Sequence, residues 1–205
     1  MARRTREEAE QTRQALLSTA LKLFSQQGIA ATTLKQVAQE AGVTHGALYW
    51  HFRNRADLLQ QIHHEFMLPF ESQFLEQRQA VQQDALAALE LYFLGVLGEF
   101  RRNAQAQQLY RVFYLQPTPV PDLASVQADI DGNRQLWLEQ LKFFLKQARK
   151  QKQIRKKTVP VELADAIQRV LDGLLAHWLC QASDVDLRAQ GKTLFGLIRD
   201  GLPQK

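Results

Sequence analysis

From Leu17 to Ile198 the apolar residues recur at spacings of three and four, and nowhere do Val, Ile and Thr build a run of period two. A period near 3.6 collects such residues on one face of a helix, so the pattern predicts an all-α chain. The punctuation is local. Leu17, Ala20, Leu21 and Phe24 form the buried stripe of a first helix that stops at Gly28. Thr33 and Gln36 have the spacing of a capping box for a second helix ending near Ala41-Gly42, and Thr44 caps a short third one. Asn54 and Asp57 mark a fourth, with Leu58, Ile62 and Phe66 turned inward and a kink or end at Pro69. A Gln-rich loop follows over 77–83. Residues 85–100 are apolar nearly all round, as in a helix enclosed by others. Further helices are expected over 103–115, from a cap at Asp122 with an interruption at Gly132, over 160–181 and over 186–201. "PTPVP", 117–121, is the clearest break. About nine helices result: an N-terminal three-helix domain and a C-terminal helical bundle.

Charge and composition narrow the function. Residues 1–55 carry eight Lys or Arg against four acids, whereas 56–205 are nearly balanced. A basic front unit suits a polyanion. The basic run 142–157 reads as a solvated helix end and loop. The longest apolar run, Leu91 to Gly98, falls far short of the roughly 18 residues that span a bilayer. Arg3, Arg4 and Arg6 lead into Glu7, Glu8 and Glu10 rather than an apolar stretch, so no secretory signal is expected. The single cysteine, Cys180, fits a reducing compartment, and a cytoplasmic location is expected.

Residues 33–52 combine a capped helix, a Gly-containing turn and a short second helix, the spacing of a helix-turn-helix. In such a unit the start of the second helix enters the major groove, and close approach favours small residues there, which accounts for Gly46 and Ala47. Leu48 and Phe52 should face the core with Val37 and Phe24. Tyr49 and His51 can offer polar tips to phosphates, and Arg55 heads the next helix within reach of the DNA backbone. Trp50 is expected to pack rather than meet bases, and Thr44 serves as a cap whether or not it also meets DNA.

"TTLKQVAQEAGVTHGALYWHFRNRADLL", residues 32–59, resembles the signature of TetR-family transcriptional regulators. The opening "MARRTREEAEQTRQALLSTALKLFSQQG" and "GALYWHF" are similar to the AcrR-type branch, whose members often repress multidrug efflux pumps; "DGLLAHWL" is a weaker likeness. By position, the resemblance puts DNA-facing residues at Thr33, Thr44, His45, Gly46, Tyr49, His51 and Arg55. His45 departs from the Arg common there in the branch, which removes a bidentate contact to guanine. The domains implied are 1–55 for double-stranded DNA and 56–205 for ligand and dimerisation.

Fourteen of the eighteen aromatic residues lie after residue 60. Each can be plain core; together they make a pocket between bundle helices plausible, which the resemblance favours. The candidates are Phe66, Phe70, Tyr92, Phe93, Phe100, Tyr110, Phe113, Tyr114, Trp137 and Trp178, with Glu90, Glu99 and Asp172 available to a cationic ligand. Leu163, Ile167, Val170, Leu174 and Trp178 form one stripe, and Leu187, Leu194, Leu197 and Ile198 another. An intrachain core or a dimer surface would use either; the resemblance implies a homodimer on a palindromic operator.

An enzyme is the first rival. His63, His64, Glu65 and His51 form a titratable group, but neighbours on a helix point apart, no H-E-x-x-H or phosphate loop is present, and Cys180 in its apolar setting reads as inert. No catalytic residue, cofactor or metal is expected. A non-specific architectural DNA binder would leave the aromatic half without use. The expectation is a ligand-released repressor of an efflux operon, with a TetR-type regulator of metabolic genes sensing a lipid or other metabolite as the alternative.

Overall fold

A computed structural model describes residues 6–116, 120–181 and 186–201. Its elements are α1 (Arg6–Gln27), α2 (Leu34–Glu40), α3 (His45–His51), α4 (Arg55–Glu65), α5 (Phe70–Gln77), α6 (Ala85–Arg102), α7 (Ala104–Tyr114), α8 (Gln127–Lys150), α9 (Pro160–Cys180) and α10 (Leu187–Asp200). Short 3-10 turns occupy Ala80–Gln82 and Pro121–Val126, and no strand occurs among the described residues. Ten α-helices lie among the described residues, close to the nine or so expected; the extra one arises because the fourth helix ends at Phe66 and the chain turns helical again after Pro69, which has no amide hydrogen to continue the ladder. Gly132 leaves α8 unbroken, and Asp122 lies in the 3-10 turn rather than at a helix cap. Part of "PTPVP", 117–119, is outside the described residues.

The chain forms two compact units, residues 1–67 with 105–130, and residues 68–104 with 131–205. In the first, Leu17, Leu21, Phe24, Val37, Leu48 and Phe52 seal a three-helix core. Burying each such side chain contributes about 1.5–3 kcal/mol. Gly28 and Gly42 redirect the chain at φ +85° and +69°, the left-handed region that a Cβ disfavours. Arg13 of α1 bonds Glu65 of α4 at 2.9 Å, and Gln14 reaches the same carboxylate at 2.8 Å. Those two bonds hold the Glu65 carboxyl below its ordinary range, Gln14 contributing most.

In the second unit α6 is buried on most of its circumference, as its composition predicts. Its free N–H groups are met one by one. Ala87 donates to Asp84, Ala85 to Gln151 and Leu86 to Gln153, all at 2.9–3.0 Å. Lys152, between the two glutamines, has a left-handed φ of +61°. Gly191 of α10 sits directly against α6, where a Cβ would come within 2.1 Å of Leu97. Among the described residues no helix is long and apolar enough to cross a membrane.

Candidate nucleic-acid interface

Three caps place the surface of α2 and α3. The Thr33 hydroxyl accepts from the Gln36 amide at 3.2 Å while Gln36 Oε1 accepts from the Thr33 N–H at 2.7 Å, closing the capping box. Thr44 accepts from Ala47 N–H at 3.1 Å, and Asn54 from Asp57 N–H at 2.9 Å. With α3 pinned at its start and Leu48 and Phe52 inward, the opposite face is bare. Thr33, Thr44, His45 and Gly46 are exposed, Ala47 and His51 are half-buried, and Tyr49 keeps 49% of its surface. His45 meets Tyr49 edge to face at 4.7 Å, so both rings stand on one side of the helix. Nothing within 4 Å would meet a Cβ at Gly46, so open space lies there for a partner.

Two placements differ from the sequence reading. Trp50 is 74% exposed, edge-on to His51 at 4.6 Å, because the interior of a helix this short is filled by Leu48 and Phe52. Arg55 is turned into its own chain. Its Nε and Nη2 donate to Asp122 at 3.0 and 2.6 Å, and its Nη1 to the carbonyls of Ile29 and Thr32 at 3.0 and 3.3 Å. Lys35, in the first turn of α2, and Arg53, just after α3, are exposed cations.

Of the aromatic candidates, Phe66, Tyr110, Phe113 and Tyr114 lie in the first unit and Phe70, Tyr92, Phe93, Phe100, Trp137 and Trp178 in the second. Phe70 stacks on Trp137 at 4.0 Å and meets Phe100 edge-on at 6.0 Å. Tyr92, Phe93 and Phe100 are fully buried, whereas Trp178 is half-exposed. A polar chain runs through these rings that the sequence did not single out. Tyr92 donates to Gln140 at 3.0 Å, and Gln140, only 2% exposed, donates to Glu71 at 2.6 Å. Burial, with Glu71 adding to it, pushes the Tyr92 phenol up, so it stays a donor. Glu90 and Glu99, proposed for a cation, pair with Arg199 and Arg102. A cleft of about 280 Å³ in this unit is lined by Gln73, Leu91, Gly95, Glu99 and Arg188 among others, and by none of the aromatic candidates.

The apolar stripes of α9 and α10 split in two. Ile167 and Leu187, expected in the dimer set, are buried within the chain alongside Leu171, Leu175 and Phe195. Leu163, Leu174, Trp178, Leu194 and Ile198 are half-buried, Val170 is exposed, and Leu197 keeps 67% of its surface. Each helix thus has an inner row and an outer one. Cys180, read as inert in an apolar setting, is exposed.

Near the end of α4, the His63 ring abuts Phe113 at 5.1 Å. Burial holds the His63 imidazole below its ordinary range, outweighing the pull of Asp129. His64 pairs with Asp129 at 3.0 Å.

An all-helical chain in which a capped second helix presents a bare face on a basic three-helix unit is a helix-turn-helix DNA-binding regulator. The family model "Bacterial regulatory proteins, tetR family" matches residues 16–62. Over 201 residues the chain is 30% identical to the HTH-type transcriptional regulator AcrR of Shigella flexneri, covering 97% of this chain and 92% of that one. It is 29% identical over 197 residues to the HTH-type transcriptional regulator TtgR of Pseudomonas putida, covering 91% and 89%. The crystal structure of native NalD, the secondary repressor of the MexAB-OprM multidrug efflux pump in Pseudomonas aeruginosa, is 25% identical with a TM-score of 0.78, covering 96% and 99%. The chain belongs to the TetR family of DNA-binding transcriptional regulators, which is not a family of enzymes.

Proposed function

We propose that the protein is a homodimeric repressor of a multidrug efflux operon, released from a palindromic operator by a hydrophobic or cationic aromatic compound. Residues 1–55 bind DNA and 56–205 bind ligand and pair the subunits. The observation that carries the DNA reading is the exposed face of α3, where His45, Gly46 and Tyr49 stand clear of the core. His45 and Thr44 read base edges; Tyr49, Lys35 and Arg53 meet phosphates. The similarity to NalD, itself a repressor of an efflux pump, supports the choice of target. Aromatic rings around the chain Tyr92–Gln140–Glu71 supply what an apolar cation needs, namely π faces and a carboxylate. The outer rows of α9 and α10, with Leu197 and Val170, pair across the two-fold axis.

The test is footprinting on the DNA upstream of the protein's own gene, followed by titration with efflux-pump substrates. Protection of a palindrome that a cationic aromatic drug abolishes is expected. Binding no tighter than to random DNA refutes the repressor; a specific footprint that such drugs leave intact refutes the ligand class.

A further inference from the structure

We propose that His63, His64 and Asp129 bind a zinc-class transition-metal ion, which fastens the end of α4 to the first turn of α8. One ligand atom from each of the three side chains lies within 4.8 Å of the others. Neighbouring helical residues ordinarily diverge by about 100°. Here the two imidazoles stay together at the last turn of α4, their centroids 6.1 Å apart and their planes at 63°. Asp129 comes from 65 residues beyond His64 and already touches its Nε2 at 3.0 Å. No spacing motif can announce such a site, because its third member arrives through tertiary packing.

The chemistry of the donors selects the ion. Two imidazoles and a carboxylate suit zinc, nickel, cobalt or copper, whereas calcium and magnesium prefer oxygen throughout. Bonds of about 2.0–2.1 Å around a tetrahedral ion put ligand atoms roughly 3.4 Å apart. The His64–Asp129 pair is already near that separation, and no pair needs to close by more than about 1.4 Å, within side-chain rotation. The Phe113 ring packed on His63 limits how that imidazole turns. Three protein ligands leave a position for water, so the ion is exchangeable rather than sealed in. His64 and Asp129 are exposed, which gives it a way in.

The consequence is mechanical. α4 starts three residues after the core position Phe52 that ends α3, so whatever fixes the far end of α4 restricts the helix-turn-helix it carries. This effect on DNA rests on the DNA-binding reading above; the binding of the ion does not. The experiment uses tag-free, full-length Cys180→Ser protein, so that no thiolate or affinity tag competes. Cobalt is the probe for visible absorption, and zinc for competition and thermal shift. Saturation at one ion per chain is expected, with a Tm that rises with zinc concentration. Asp129→Asn and His64→Gln, both at exposed positions, should each weaken cobalt binding by at least about 100-fold, while His177→Gln leaves it unchanged. Circular dichroism confirms that both variants remain folded. Undiminished binding in His64→Gln and Asp129→Asn, or no saturable binding in the parent, overturns the site. Operator affinity that is identical with and without saturating zinc overturns the fastening of α4 while leaving the site.

Discussion

Arg55→Ala separates an internal tie from a DNA contact. The guanidinium gives Nε and Nη2 to Asp122 and Nη1 to the carbonyls of Ile29 and Thr32, joining the start of α4, the loop after α1 and the turn at Pro121–Val126. A hydrogen-bonded charged pair contributes about 1.5–3 kcal/mol. The two side chains retain 30% and 25% of their surface, so water will partly resolvate an abandoned Asp122 and screen the pair. A net loss of about 2 kcal/mol is expected for Arg55→Ala. Asp122→Asn keeps the shape and an acceptor, and should lose about 1 kcal/mol. Urea unfolding measures both, and the double variant should be less destabilised than the sum, since one interaction is removed twice. Operator binding should weaken in both variants through the same loosening of α4, with the salt dependence unchanged. A phosphate contact would instead lower the salt slope by about one in Arg55→Ala and leave Asp122→Asn at wild-type affinity. Wild-type stability in Arg55→Ala, or that reduced slope, refutes the tie.

Gly191→Ala should destabilise the second unit by about 1–3 kcal/mol in thermal unfolding, because its methyl lands 2.1 Å from Leu97 on α6. Leu197→Glu should leave the fold intact, since the side chain is 67% exposed, yet sediment as a monomer; an intact dimer moves the interface elsewhere. Asp84→Ala should cost about 1 kcal/mol at neutral pH through loss of the cap on α6. The Ala87 N–H, then Gln153, hold the Asp84 carboxyl below its ordinary 3.8, so its contribution is present above that pH and lost as pH falls through the lower folded value. The variant's stability should therefore fall less steeply below pH 3.8 than the wild type's, and parallel acid limbs would count against the cap.

What the sequence revealed is what depends on near neighbours. The caps at Thr33, Thr44 and Asn54 join residues three apart, and the glycine turns at 28 and 42 need only their own φ. Those features carry α1 to α4 and the bare face of α3. Features that join distant residues were hidden. The Arg55–Asp122 tie spans 67 positions and the Gln140–Glu71 bond 69, and nothing in spacing couples them. A stripe of leucines on α9 does not say which edge of the stripe turns inward, so Ile167 and Val170 looked alike until packing parted them. Trp50 misled for a related reason: indole area predicts burial only where a helix has interior left to offer, and α3 has only a short row of it.

The bare indole on α3 also makes the protein its own optical reporter. Trp137 is sealed in the second unit and Trp178 half-covered, while Trp50 keeps 74% of its surface. A quencher dissolved in water therefore extinguishes Trp50 emission first and hardly reaches Trp137. Whatever settles on the outer face of α3 shields that one ring and restores its light, so occupancy there can be followed without a dye or an added residue.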